Sequence, residues 1–143
     1  MSPFPSGSVP RAGVDPITTD ATARSLVTAL CRPPCRDAVM VVTLDARHCG
    51  LGILRVADNG DPRMLLGVAQ YIARIRSSRC AAVVLVSSRR HRSVWPGDVD
   101  VWLELSEMFD DGEIDLREWY VASRAGGIEC PRDLFGEPPR WRQ

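Results

Sequence analysis

The sequence contains no lysine: all 18 basic residues are arginine, and they balance 18 aspartates and glutamates. Without an amine side chain, Schiff-base chemistry and lysine-dependent phosphate cradles are excluded. Zero formal net charge leaves no global field to draw the chain to nucleic acid or anionic lipid. No apolar run approaches the roughly 18 residues that a membrane-spanning helix needs. The stretch from Met1 to Pro16 lacks the basic start and apolar core of a secretory signal. The expectation is a cytoplasmic protein without membrane contact. Histidine is scarce as well, with only His48 and His91 present. No internal repeat occurs, and no low-complexity segment lies outside the N-terminal tail.

What is present describes one ordinary domain. The length of 143 residues, 45% of them hydrophobic and 25% charged, suits a single enclosed core. Five cysteines (Cys31, Cys35, Cys49, Cys80 and Cys130) form an odd, irregularly spaced set, which reads as free thiols rather than a disulfide framework. Cys31, Cys35 and the His48-Cys49 pair could be a second metal set, but the second half is not a spaced pair. Inert core thiols explain them better.

Residues 1–18 are rich in proline and glycine and poor in apolar side chains, and they read as a disordered tail. The domain proper spans 19–125, followed by a largely irregular extension over 126–143 that carries proline and arginine. Asp20 is the expected N-cap of a helix bearing Ala23, Leu26, Val27 and Leu30, stopped by Pro33 and Pro34. Ala38 to Leu44 and Leu51 to Val56 read as a hairpin turning at Arg47 to Gly50. Leu65, Val68, Ala69, Ile72 and Ile75 follow helical spacing to about Ser78. Cys80 to Val86 is a continuous apolar run, the mark of a central strand covered on both faces. A polar loop from Ser87 to Gly97 leads to a third helix with Val101, Trp102, Leu105, Met108 and Phe109, closed at Gly112. Ile114 to Ala122 is a further strand. The order α-β-β-α-β-α-β predicts an α/β (α+β) fold, a mixed sheet with helices packed on it. Functional groups then gather beyond the end of the central strand, in the segment Ser87 to Gly97.

The stretch from Ala81 to Val121 runs as apolar strand, polar loop, Pro96-Gly97-Asp98-Val99-Asp100, amphipathic helix and Gly112-Glu113-Ile114-Asp115-Leu116. It resembles the JAB/MPN metalloprotease domain, in particular its RadC-like branch, where a strand ends in His-x-His-Pro-Ser-Gly and Ser-x-x-Asp opens the next helix. Val41-Val42-Thr43-Leu44-Asp45-Ala46-Arg47 is similar to the family's early strand, and the likeness covers about residues 36–122. Membership implies a zinc held by two His and one Asp, with a Glu on an early strand handling the proton of a metal-bound water. Such a metal lowers the pKa of its water into the neutral range.

With Asp100 at the family's Asp position, the two His positions fall on Ser87 and Arg89, the motif Ser on Gly97, and the Glu near Asp37. Serine is a poor zinc ligand, and arginine cannot give up a proton to bind metal. A guanidinium about 4 Å from a divalent ion would be repelled by roughly 8 kcal/mol at an effective dielectric near 20. His91 could supply one ligand after a shift of register, but His48 sits in the hairpin turn and no second histidine remains. The resemblance therefore implies a domain that has lost its zinc, with Asp37 and Asp100 as remnants, no cofactor and no catalysis. The rival readings are a zinc hydrolase with a rearranged site and an anion or nucleic-acid binder.

Binding candidates are Ser87, Arg89, Arg90, His91, Arg92 and Trp95. Arg89 is expected to fill the vacated cleft by pairing with Asp100, with Trp95 or Arg90 covering it. Arg74, Arg76, Arg79, Arg89, Arg90 and Arg92 with His91 form a basic group, whereas Asp98 to Glu118 holds nine carboxylates and one arginine. Opposite patches point to a protein partner or self-association. Nucleic acid is less well supported, because only Trp95 lies near enough to the arginines to stack on bases.

Overall fold

The computed structural model describes residues 9–32, 36–57, 61–74, 79–91, 93–110, 113–124 and 127–141. The chain folds as α1 (Asp20–Leu30), β1 (Ala38–Leu44), β2 (Gly50–Ala57), α2 (Met64–Arg74), β3 (Ala82–Arg89), α3 (Pro96–Asp110), β4 (Asp115–Ser123) and β5 (Gly127–Glu129), followed by a short 3-10 turn, Pro131–Phe135. One mixed sheet has the order β2-β1-β3-β4-β5. β1 runs antiparallel to both of its neighbours, β3 and β4 are parallel, and β5 returns antiparallel. The fold is α+β, and β3 is the middle strand.

Alternate residues of the strands feed two cores. Val39, Val41, Val83, Leu85, Trp119 and Val121 point to the face covered by α2 and α3. Met40, Val42, Val84, Val86, Tyr120 and Ala122 point to the face covered by α1 and the C-terminal segment. Every residue of β3 is buried, which is why its sequence reads as a run rather than an alternation.

Several expectations change at the boundaries. The N-cap of α1 is Thr19, not Asp20: its backbone is extended and its hydroxyl accepts from the Thr22 N–H at 3.2 Å. Asp20 lies inside the helix, with its carboxylate drawn to Arg24 (2.7 Å) and to the Tyr120 hydroxyl (2.7 Å). β3 continues through Ser87, Ser88 and Arg89, which had been placed in the loop, because the parallel pairing with β4 extends to Ser123. The proposed helix ends at Ser78 and Gly112 and the stop at Pro33-Pro34 lie outside the described residues.

The termini are more ordered than their composition suggests. From Val9 the N-terminal segment runs beside the start of β2, where Gly13 N–H donates to Gly50 O at 3.1 Å, Ile17 N–H donates to His48 O at 2.8 Å, and Ile17 is buried. The C-terminal segment, expected to be mostly irregular, is docked. β5 pairs only with residues 121–123 of β4. Beyond its reach, Arg140 Nη1 donates to Leu116 O at 3.4 Å and Arg117 Nη1 donates to Arg140 O at 2.9 Å, covering the rest of that edge. Trp141 then inserts into the α1-side core and donates from Nε1 to the Tyr120 hydroxyl at 3.0 Å.

Candidate functional site

The site begins at the C-terminal end of β3. Ser87 and Arg89, two residues apart on one strand, project to the same face, that of Trp119 and α3. Ser87 is fully buried, and its hydroxyl accepts from Trp119 Nε1 at 2.9 Å. Arg89 is 4% exposed, and its guanidinium lies 6.0 Å from the centroid of the Trp119 ring.

α3 delivers the partner. Pro96 stands at its first position, where a missing N–H costs nothing. Two residues on, Asp98 turns its carboxylate back to accept the Trp95 N–H at 3.1 Å, as an acidic residue in the first helical turn commonly does. The same carboxylate receives Arg89 in a two-bonded fork, Nη1 to Oδ2 at 2.7 Å and Nη2 to Oδ1 at 2.9 Å. Asp98 is completely buried. The expected partner, Asp100, is exposed and takes no part. The correction has a helical cause: residues two apart lie about 200° around an α-helix, so Asp98 and Asp100 cannot both face β3.

The fork also fixes the loop above it. Arg89 Nη1 donates to Ser93 O at 3.2 Å, and the Arg90 N–H donates to Asp37 Oδ1 at 3.0 Å. The Val94 N–H donates to Glu129 Oε1 at 3.4 Å. Trp95 is held with 42% of its surface exposed, and its ring lies over Gly97, where an added Cβ would come within 3.1 Å of ring atoms.

The binding candidates therefore separate. Ser87 and Arg89 are buried and cannot meet a partner directly. Arg90, His91 and Trp95 face solvent together on the loop. Arg92 lies outside the described residues. Trp95, expected to cover the pair, meets it through its backbone N–H, and the residue stays 42% exposed. The expected basic group loses Arg89 to the interior, whereas Arg79, Arg90 and His91 are exposed; Arg76 and the side chain of Arg74 lie outside the described residues. The acidic run likewise loses Asp98 and Glu118 to the interior.

The zinc implied by the resemblance does not fit these residues. The ligand positions carry a serine hydroxyl already bonded to Trp119 and a guanidinium already neutralised by Asp98. Among the described residues, no group of three or more His, Cys, Asp or Glu side chains converges. Cys49 and Cys130 are buried, Cys31 and Cys80 are half-buried, and burial pushes the thiols of Cys80 and Cys130 up. Cys35 lies outside the described residues.

Sequence reasoning missed a second buried ion pair on the opposite face. Glu118 of β4 is fully buried and accepts from Arg132 Nε at 2.6 Å, while Arg132 Nη1 holds the Glu137 carbonyl at 3.1 Å. Burial keeps the Glu118 carboxyl above its usual range despite the guanidinium. Beside it, the Tyr120 hydroxyl links Asp20 of α1 to Trp141. The available signal was a carboxylate directly before the apolar run Trp119 to Ala122, Glu118. Neither the family models nor the curated proteins contain a match to this chain.

Proposed function

We propose that this protein is a catalytically inactive, RadC-like JAB domain that serves as a binding or scaffold module. The observation that carries the reading is the buried Arg89–Asp98 fork at the strand position where the family's metal ligands would sit. A guanidinium held in place by a carboxylate substitutes for the cation that would otherwise organise the site. The order and pairing of β1 to β4 around a central strand are compatible with such a domain.

Binding is the activity these residues support. The fork anchors the Ser93 carbonyl and shares its carboxylate with the Trp95 N–H, so the loop is fixed from beneath. The same loop presents an exposed tryptophan, with Arg90 and His91 also exposed. Tryptophan and arginine are the side chains that most often dominate protein interfaces, and a pre-fixed loop loses little entropy on docking. The partner is a protein surface, either of another chain or of a second copy.

The test has two arms. Purified without chelator, the chain should carry far less than one zinc and keep its melting temperature in chelator. A crosslinked partner recovered with the wild type should be lost with Trp95→Ala and Arg90→Ala while both variants melt normally. Stoichiometric zinc, or partner recovery indifferent to both substitutions, overturns the reading. Salt-sensitive oligonucleotide binding lost with Arg90→Ala would instead support the anion-binding rival.

A further inference from the structure

The turn between β1 and β2 brings one of the two histidines against β4. Asp45 builds this turn, its carboxylate accepting from the N–H groups of Arg47 (2.8 Å) and Cys49 (3.0 Å). His48 completes it with φ of 67°, a left-handed conformation that non-glycine residues seldom adopt. Its carbonyl receives the Ile17 N–H, and its ring Nε2 lies 3.0 Å from Arg117 Nη2.

A guanidinium can only donate, so Nε2 must be the unprotonated nitrogen of a neutral imidazole. The same Arg117 donates from Nη1 to the Arg140 carbonyl, one of several bonds between the C-terminal segment and β4, with those of Arg140 to Leu116 O, Arg132 to Glu118 and Trp141 to Tyr120. The imidazole thus sits at a junction of three parts: the hairpin turn, the β4 edge and the C-terminal segment.

We propose that His48 is an acid-sensitive latch on the C-terminal segment: a proton on Nε2 removes the acceptor that orients Arg117 and frees Arg140 and Trp141 from β4. Among the described residues, the charges that act on the ring are Arg117 and Asp115 of β4 and Asp45 of the turn; the N-terminal segment meets the His48 backbone through the Ile17 N–H. Asp115 already accepts from Arg117 Nη2 at 3.4 Å, so a guanidinium that leaves the imidazole keeps a carboxylate on its own strand. Burial, followed by the Arg117 charge, holds the imidazole below its ordinary value of 6.5, against the opposite pull of Asp115 and Asp45. A depressed base in the closed form means that the open form takes the proton more readily. Closure is therefore complete above pH 6.5 and weakens as pH falls below it.

With only two histidines, the test is direct. The ring resonances of His48 and His91 are followed by NMR from pH 7.5 to 5 together with the Trp141 indole N–H, which reports its bond to Tyr120. The Trp141 resonance should lose its folded position with the midpoint of His48, below 6.5, and not with that of His91. His48→Asn, which tolerates the left-handed backbone and stays neutral, should abolish this dependence, and His91→Gln should leave it unchanged. A Trp141 signal that stays fixed while His48 titrates in the wild-type chain overturns the proposal, whether or not the variant folds. So does a signal that still moves in His48→Asn.

Discussion

Arg89 and Asp98 face each other across the junction of β3 and α3 as a two-bonded pair, their side chains 5% and 0% exposed. Burying both charges is costly, and the matched geometry offsets part of that cost together with the bond to Ser93 O and the one accepted from the Trp95 N–H. Removing one partner strands the other. Arg89→Ala should therefore destabilise by about 3 to 5 kcal/mol in urea unfolding. Arg89→Ala combined with Asp98→Ala should recover part of that loss, and Asp100→Ala should cost under about 0.5 kcal/mol. Equal costs at Asp98 and Asp100 would contradict the pairing.

The strands were legible because burial on both faces leaves a direct mark. Ala38 to Leu44 is apolar except for Thr43, and the run through Val86 is unbroken; few other structures bury such segments. That Arg89 would pair with a carboxylate was legible too, although its place on a strand was not, because the polar sequence from Ser87 onward reads as loop. Which carboxylate was not. Asp98 and Asp100 differ only in helical phase, and that phase is fixed by where α3 starts, at Pro96, a boundary that spacing places only loosely. The docked termini left no periodic signal. Their order comes from single anchors, Ile17, Trp141 and the Arg132–Glu118 pair, whose partners lie far away in sequence.

The second buried pair tests whether the C-terminal segment is part of the domain. Arg132 is the cation beside Glu118 and also ties the Glu137 carbonyl. Arg132→Ala should cost about 3 kcal/mol or more, against under about 1 kcal/mol for exposed Arg90→Ala. Denaturant titration of the two variants checks both values. A loss at Arg132 no larger than that at Arg90 would mean that the segment detaches without disturbing the core.

Glu137 should confer acid sensitivity. Burial alone would raise its carboxyl, but hydrogen bonds from Arg140 and Trp102 outweigh this and hold it below the ordinary 4.5. Because the folded-state value is depressed, its support is present above pH 4.5 and is lost as pH falls through the lower folded value. Melting temperatures of the wild type and Glu137→Gln should differ at pH 7 and converge toward pH 3. Parallel curves over that range would show that Glu137 contributes nothing through its charge.

Gly97 sets two effects against each other. As the second residue of α3, it weakens the helix, and alanine there should gain up to about 1 kcal/mol in propensity. A Cβ at that position meets the Trp95 ring carbons at 3.1 Å, tighter than ordinary contact. The ring is 42% exposed, so it can swing outward instead of forcing the backbone to move. Gly97→Ala should therefore leave stability within about 1 kcal/mol of the wild type while shifting Trp95 fluorescence toward that of a fully hydrated indole. If the loop is the binding surface, the same variant should weaken partner recovery without lowering the melting temperature. An unchanged tryptophan spectrum, judged against a Trp95→Phe control, would show that the ring does not rest on Gly97.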